Sequence, residues 1–143
     1  MLERVMIIDD NKLDRFITIH ALKRAHATVA CQEYDSAAEA IEYIEQTREQ
    51  PELAPQVIVL DVNMPELSGL AFLERLSLLP GYSSQCCIAI MLSSELSASD
   101  LELAKSLPFA KRFISKPFNA SSVAEIQALR SHALLVGELI NYN

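Results

Sequence analysis

The sequence predicts an α/β domain, a doubly wound parallel sheet with helices on both faces. Three observations carry that expectation. Short apolar or β-branched runs alternate five times with stretches of helical spacing. The third run, Val57-Ile58-Val59-Leu60, is apolar without interruption, as a strand covered on both faces must be. The chain has 143 residues, 50% of them hydrophobic and 22% charged, which is the size and make-up of one ordinary domain.

The elements follow in order. Arg4-Val5-Met6-Ile7-Ile8 is a strand that runs into two acids. Residues 12 to 26 carry Phe16, Ile19, Ala21 and Leu22 at the spacing of an amphipathic helix. Thr28 to Cys31 is a second short strand. Ser36, with Glu39 three residues on, has the pattern of a capping box and opens a helix that aligns Ala37, Ala40, Ile41 and Ile44. Pro51 and Pro55 mark a loop before the third strand. Asp61 to Ser68 is loop, and Gly69 to Leu78 is a helix with Leu70, Leu73 and Leu76 on one side. Pro80-Gly81 turns the chain into the fourth strand, Cys87 to Leu92. A short helix over Ser97 to Leu107 stops before Pro108, and Lys111 to Ile114 is the fifth strand. Pro117 ends it, and residues 121 to 136 form the last helix, with Ser122 and Glu125 as a second capping box.

Composition excludes several functions. Nineteen acids against twelve bases leave a net charge of −7, which argues against binding nucleic acid through this surface. Regulation by such a chain runs through a protein partner. No apolar stretch approaches the roughly 20 residues of a membrane span. Glu3, Arg4 and the early Asp9-Asp10 argue against a signal peptide, so the expected location is cytoplasmic. Cys31, Cys86 and Cys87 are odd in number and lack a CxxC spacing, so buried thiols are expected rather than disulfides or zinc. His20, His26 and His132 share no ligand spacing.

In a parallel α/β sheet, ligands sit beyond the carboxyl ends of the strands. Here those ends carry Asp9-Asp10, Asp61, Ser93-Ser94 and Ser115-Lys116-Pro117. Three carboxylates brought together repel one another and call for a cation. An all-oxygen site of this kind suits Mg²⁺, and Asn63 is placed to add its backbone carbonyl. If Asp61 is a nucleophile, it can take a phosphoryl group as an acyl phosphate. Phosphoryl transfer then needs mainly charge neutralisation, which the metal, Lys116 and the Ser93 hydroxyl would share. Taken singly, each residue has an ordinary explanation: the paired aspartates as helix caps, Met64-Pro65 as a turn, Lys116 as a solvated edge charge. All of them at strand ends, in this order, are much harder to explain that way.

The pieces Val5-Met6-Ile7-Ile8-Asp9-Asp10, Val57 to Pro65 with its Asp-x-x-Met-Pro loop, Gly69, Leu92-Ser93-Ser94 and Phe113-Ile114-Ser115-Lys116-Pro117 resemble the receiver domains of bacterial two-component response regulators. Among these the resemblance is to the stand-alone chemotaxis receivers, and it covers residues 4 to about 130. It implies a flavodoxin-like sheet of order 2-1-3-4-5 with five helices in three layers. It implies a receiver over residues 1–133, a tail over 134–143 and no output domain.

The resemblance also assigns roles. Asp61 would be the phosphoacceptor, charged by a sensor histidine kinase or a histidine phosphotransfer protein. Asp9, Asp10, Asp61 and the Asn63 carbonyl would hold Mg²⁺, with Asp10 the more direct ligand. Lys116 would pair with the phosphoryl oxygens, and Pro117 would follow a cis bond. Gly69 stands where the family turns into its third helix. Ser93 would supply the switch hydroxyl because it directly follows the run ending at Leu92; a register shifted by one would give that role to Ser94. Phe113 occupies the aromatic switch position without a tyrosine hydroxyl. Glu95 and Asn63 lie where the family tunes autodephosphorylation.

Phosphorylation would then alter the face formed by Ser97 to Leu107 and Lys111 to Arg130, to which a downstream protein binds. The alternative is a relay or phosphate sink that passes the group to a histidine phosphotransfer protein. An aspartyl phosphatase would want an acid at position 11, where this chain has Asn11.

Overall fold

The computed structural model describes residues 2–82 and 86–142, with side chains described through residue 135. Five strands, β1 (Arg4–Ile8), β2 (Ala30–Tyr34), β3 (Val57–Asp61), β4 (Cys87–Leu92) and β5 (Ala110–Ser115), form one sheet. Its order is β2-β1-β3-β4-β5, and every pairing is parallel. The α-helices that lie wholly among the described residues, between and after the strands, are α1 (Lys12–Ala25), α2 (Ala37–Thr47), α3 (Gly69–Ser77), α4 (Ala98–Ser106) and α5 (Ala120–Tyr142). A 3₁₀ turn at Pro51–Leu53 leads into β3.

Side chains alternate across a strand, so each central strand feeds two cores. Met6, Ile8, Ile58, Leu60, Ile88 and Ile90 point to one face and pack with Ala40, Ile41 and Ile44 of α2, Leu73 and Leu76 of α3 and Ala104 of α4. Val5, Ile7, Val57, Val59, Ala89 and Met91 point to the other and meet Leu22 of α1 and Val123, Ile126 and Leu129 of α5. This gives three layers, and it explains why β3 is apolar at every core position.

Three helices open on a serine cap, and at α2 it is the one its sequence signals. The Ser36 hydroxyl accepts the Glu39 amide at 3.4 Å, and Ser68 and Ser97 do the same for Ala71 and Asp100, each at 3.2 Å. Gly81 turns the chain with φ 86°, a left-handed conformation in which glycine escapes the Cβ penalty.

Several expectations need correction. The last helix opens at Asn119, not at Ser122. The Asn119 carboxamide accepts the Ser122 amide at 3.2 Å, and the Ser122 hydroxyl accepts the Asn119 amide at 3.1 Å. Ser122 is thus the inner member of the box. The same helix continues to Tyr142, beyond its expected end at residue 136. Leu134 and Leu135 are exposed, and whether the side chains of 136–143 pack on the domain lies outside the described residues. Strand β2 begins at Ala30 and runs to Tyr34, later than expected, because an edge strand exposed along one side need not be apolar. Phe16 leaves the predicted stripe of α1: it is 65% exposed and stacks on His20, while Leu22 and Thr18 are buried. Cys86 and Cys87 are buried as expected, whereas Cys31 is half-buried on the edge strand.

Candidate functional site

Side chains from the carboxyl ends of β1, β3 and β5 converge in one corner above the sheet's edge, although β4 lies between β3 and β5. Hydrogen-bonding at the end of β1 places Asp9 first. Its amide donates to the Tyr34 carbonyl at 3.0 Å, and its Oδ1 accepts the Asn11 amide at 2.9 Å. The cap of α1 is therefore Asn11, whose Oδ1 accepts the Asp14 amide at 3.0 Å; neither Asp9 nor Asp10 serves as that cap. Arg15 braces the turn, with Nη1 on the Asp9 carbonyl and Nε on Glu33, both at 2.9 Å.

Asp61 is the last residue of β3, and its Oδ1 accepts the Asn63 amide at 3.2 Å. The loop then folds back so tightly that Gly69 donates its amide to the Val62 carbonyl at 3.0 Å. A Cβ at residue 69 would overlap the Asp61 carbonyl oxygen and come within 2.9 Å of the Val62 Cα. Glycine is required there by close approach of backbone to backbone.

Lys116 enters from β5. Its amide donates to the Leu92 carbonyl at 2.8 Å, and the peptide bond to Pro117 is cis. Its Nζ lies 2.9 Å from Asp9 Oδ2, 2.9 Å from Asp14 Oδ2 and 3.5 Å from Asp61 Oδ2. Burial works against the Lys116 charge, but the hydrogen bonds to Asp14 and Asp9 and the charges of Asp9 and Asp61 prevail and hold its proton affinity above the ordinary lysine value.

Carboxylate oxygens of Asp9, Asp10 and Asp61 lie within 4.8 Å of one another, with Asp9 and Asp61 buried and Asp10 exposed. Burial, then the charge of Asp9, pushes the Asp61 carboxyl up to about 6, against the opposing pull of Lys116 and the Asn63 amide. Such crowding of hard oxygen donors fits a divalent cation, which would relieve the repulsion.

The end of β4 is different in kind. Ser93, Ser94 and Glu95 are all exposed and line a cleft of about 260 Å³ with Leu92, Ser115 and Lys116. Phe113 sits on β5, half-buried against the core on the side of α2, α3 and α4. The fold thus brings Asp9, Asp10, Asp61 and Lys116 together, sets Asn63 and Gly69 on the backbone that positions Asp61, and leaves Ser93 across an open cleft.

Sequence reasoning missed Asp14. A carboxylate in the first turn of a helix is usually a partner of the helix dipole, so nothing singled it out. Its partner Lys116 stands 102 residues further along the chain, beyond the reach of any local spacing.

Residues 5–127 match the family model of the response regulator receiver domain. The chain is 31% identical over 124 residues to the chemotaxis protein CheY of Thermotoga maritima, covering 86% of this chain and 92% of that one. It is 33% identical over 127 residues to a protein-glutamate methylesterase/protein-glutamine glutaminase of Archaeoglobus fulgidus, covering 85% of this chain but spanning only 33% of that protein. Among solved structures, a two component response regulator from Cytophaga hutchinsonii superposes with a TM-score of 0.77 at 19% identity, over 93% of this chain and 97% of that one. The chemotaxis response regulator CheY4 of Vibrio cholerae gives 0.72 at 22% identity, over 90% and 99%. Among the described residues no helix is long and apolar enough to cross a membrane.

Proposed function

The chain belongs to the response regulator receiver family of two-component signalling, and from that premise we propose that it accepts a phosphoryl group on Asp61 and switches a protein contact in response. The observation that carries this reading is the convergence of Asp9, Asp10, Asp61 and Lys116 on one corner. The donor is the phosphohistidine of a sensor histidine kinase or of a histidine phosphotransfer protein. An Asp61 carboxylate oxygen forms the new bond to phosphorus, the phosphorus–nitrogen bond breaks, and the imidazole nitrogen keeps the electron pair.

Asp9, Asp10 and Asp61, with the Asn63 carbonyl, would hold Mg²⁺, which supplies neutralisation of charge on the transferring group. Lys116 holds a positive charge beside the acceptor and meets a phosphoryl oxygen with an ammonium proton. The Asn63 amide fixes one Asp61 oxygen, leaving the other, on the side of Lys116, as the nucleophile. Ser93 closes the cleft from β4 by offering its hydroxyl to the phosphoryl group, Ser94 and Glu95 line the path by which water enters, and Phe113 follows Ser93 inward. That movement reshapes the α4–β5–α5 face, where a downstream protein binds. The change is a shift of population set by the different stability of the phosphorylated corner in the two states. The receiver works in the cytoplasm as a signalling switch, and its chemistry is confined to its own phosphorylation and dephosphorylation.

The test is incorporation of phosphate from acetyl phosphate with Mg²⁺. One hydroxylamine-labile group per chain is expected for the wild type and none for Asp61→Asn. Undiminished labelling of Asp61→Asn overturns the assignment. Transfer of label onward to a histidine phosphotransfer protein, without phosphorylation-dependent binding of any other partner, favours the relay reading instead.

A further inference from the structure

Lys116 has three ammonium protons, and three carboxylates face them. Two of these, Asp9 and Asp14, lie at 2.9 Å, while the proposed acceptor Asp61 stands off at 3.5 Å. The ammonium therefore rests toward α1, not toward the residue it is to serve. Its two close partners differ. Asp9 belongs to the carboxylate cluster that fits a cation, so it has a second use for its charge. Asp14 lies outside that cluster. It sits on the first turn of α1, its amide tied to the Asn11 cap, and its side chain is 31% exposed. Whatever the cluster holds, Asp14 keeps its claim on Lys116.

We propose that Asp14 is a positioning residue that holds the Lys116 ammonium in a resting place on α1 and so competes with the phosphoryl group for it. This rests on the reading of Asp61 as phosphoacceptor. Phosphorylation then includes an exchange of partners: Lys116 gives up a hydrogen bond to Asp14 and gains one to a phosphoryl oxygen. Asp14 weakens the hold of the corner on its phosphoryl group and lowers the fraction of receiver in the activated state at a given kinase activity. It also gives α1 a direct bond to the signalling lysine that changes with phosphorylation.

The experiment is a titration of the intact chain with beryllofluoride, a stable phosphoryl mimic, in saturating Mg²⁺, followed by NMR. Asp14→Asn is expected to bind about three- to tenfold more tightly than wild type, the range for loss of one partly exposed competing ion pair. The same substitution in a Lys116→Gln background is expected to change affinity less than about twofold, because the residue it acts through is gone. Equal affinity of wild type and Asp14→Asn overturns the inference and leaves the phosphoacceptor reading standing. An undiminished gain in the Lys116→Gln background also overturns it, by showing a general effect of charge. A wild type that does not bind beryllofluoride at all overturns both.

Discussion

The corner at β1, β3 and β5 and the cleft at the end of β4 belong to one proposed site, but they are built to different standards. In the corner, Asp9 and Asp61 are 6% and 5% exposed, Lys116 touches three carboxylates, and backbone amides fix one oxygen of each of the two buried acids. At the cleft, Ser93, Ser94 and Glu95 are open to solvent, and Phe113 is only half-covered. The proposed acceptor stands among close charged partners already, whereas the residues proposed for the switch do not yet meet it. The difference teaches how one site divides its labour: charge is concentrated in the corner, and the cleft is left open, where burial would not oppose rearrangement.

The contrast breaks most sharply at Lys116. Lys116→Ala strips the corner of the cation shared by Asp9, Asp14 and Asp61, and is expected to lower stability by about 2–4 kcal/mol at neutral pH without metal. Urea unfolding measures this, and an unchanged midpoint would mean that the corner is not electrostatically built. Next in size is Asp61→Asn under the same conditions. The folded Asp61 carboxyl titrates at about 6, above its ordinary value of 3.8, so the wild type loses stability as pH rises through that window. The variant escapes that loss and is expected to be more stable than wild type by about 1–3 kcal/mol above pH ~6, with the advantage gone below pH ~4. Paired melting curves across that range check it, and an advantage that grew toward acid would have the wrong sign. Smallest of all is Ser93→Ala, expected to move stability by no more than about 0.5 kcal/mol, as exposed substitutions do. It is nonetheless expected to diminish the beryllofluoride-induced shift of the Phe113 ring resonances, and a full shift would remove Ser93 from the switch.

The same contrast governs what could be read from the residues alone. The sheet and its central strands were legible because each of Val57 to Leu60 must satisfy one of two cores, leaving no polar position to confuse the period. The meeting of Asp9, Asp10, Asp61 and Lys116 was legible because each stands at the carboxyl end of a strand, the acids at the buried β1 and β3 and Lys116 just past the edge strand β5. The edge was harder. In β2 the run Ala-Cys-Gln-Glu-Tyr mixes polar and apolar residues, since only part of it is covered, and Thr28 drew the expected start too early. Phe16 fits a helical stripe by spacing, yet α1 meets the sheet through Leu22 and Thr18, and spacing does not say how a helix is rotated. At α5, Ser122 has the chemistry of a cap, but Asn119 three residues earlier has it too and takes the outer place. Asp14 was invisible for a related reason. Its partner is 102 residues away, and no local pattern encodes a meeting at that range.

The bond from the Lys116 amide to the Leu92 carbonyl closes the last paired residues of β4 and β5, Leu92 and Ser115. It makes the backbone before Ser93 and the backbone of Lys116 two sides of one joint. The ammonium can swing between carboxylate and phosphoryl group on its own flexible stem, but the peptide beneath it cannot shift without turning the plane from which Ser93 departs. In mechanical terms the corner and the cleft share a pivot, and under the proposed phosphorylation of Asp61 a pull on either side would load the other.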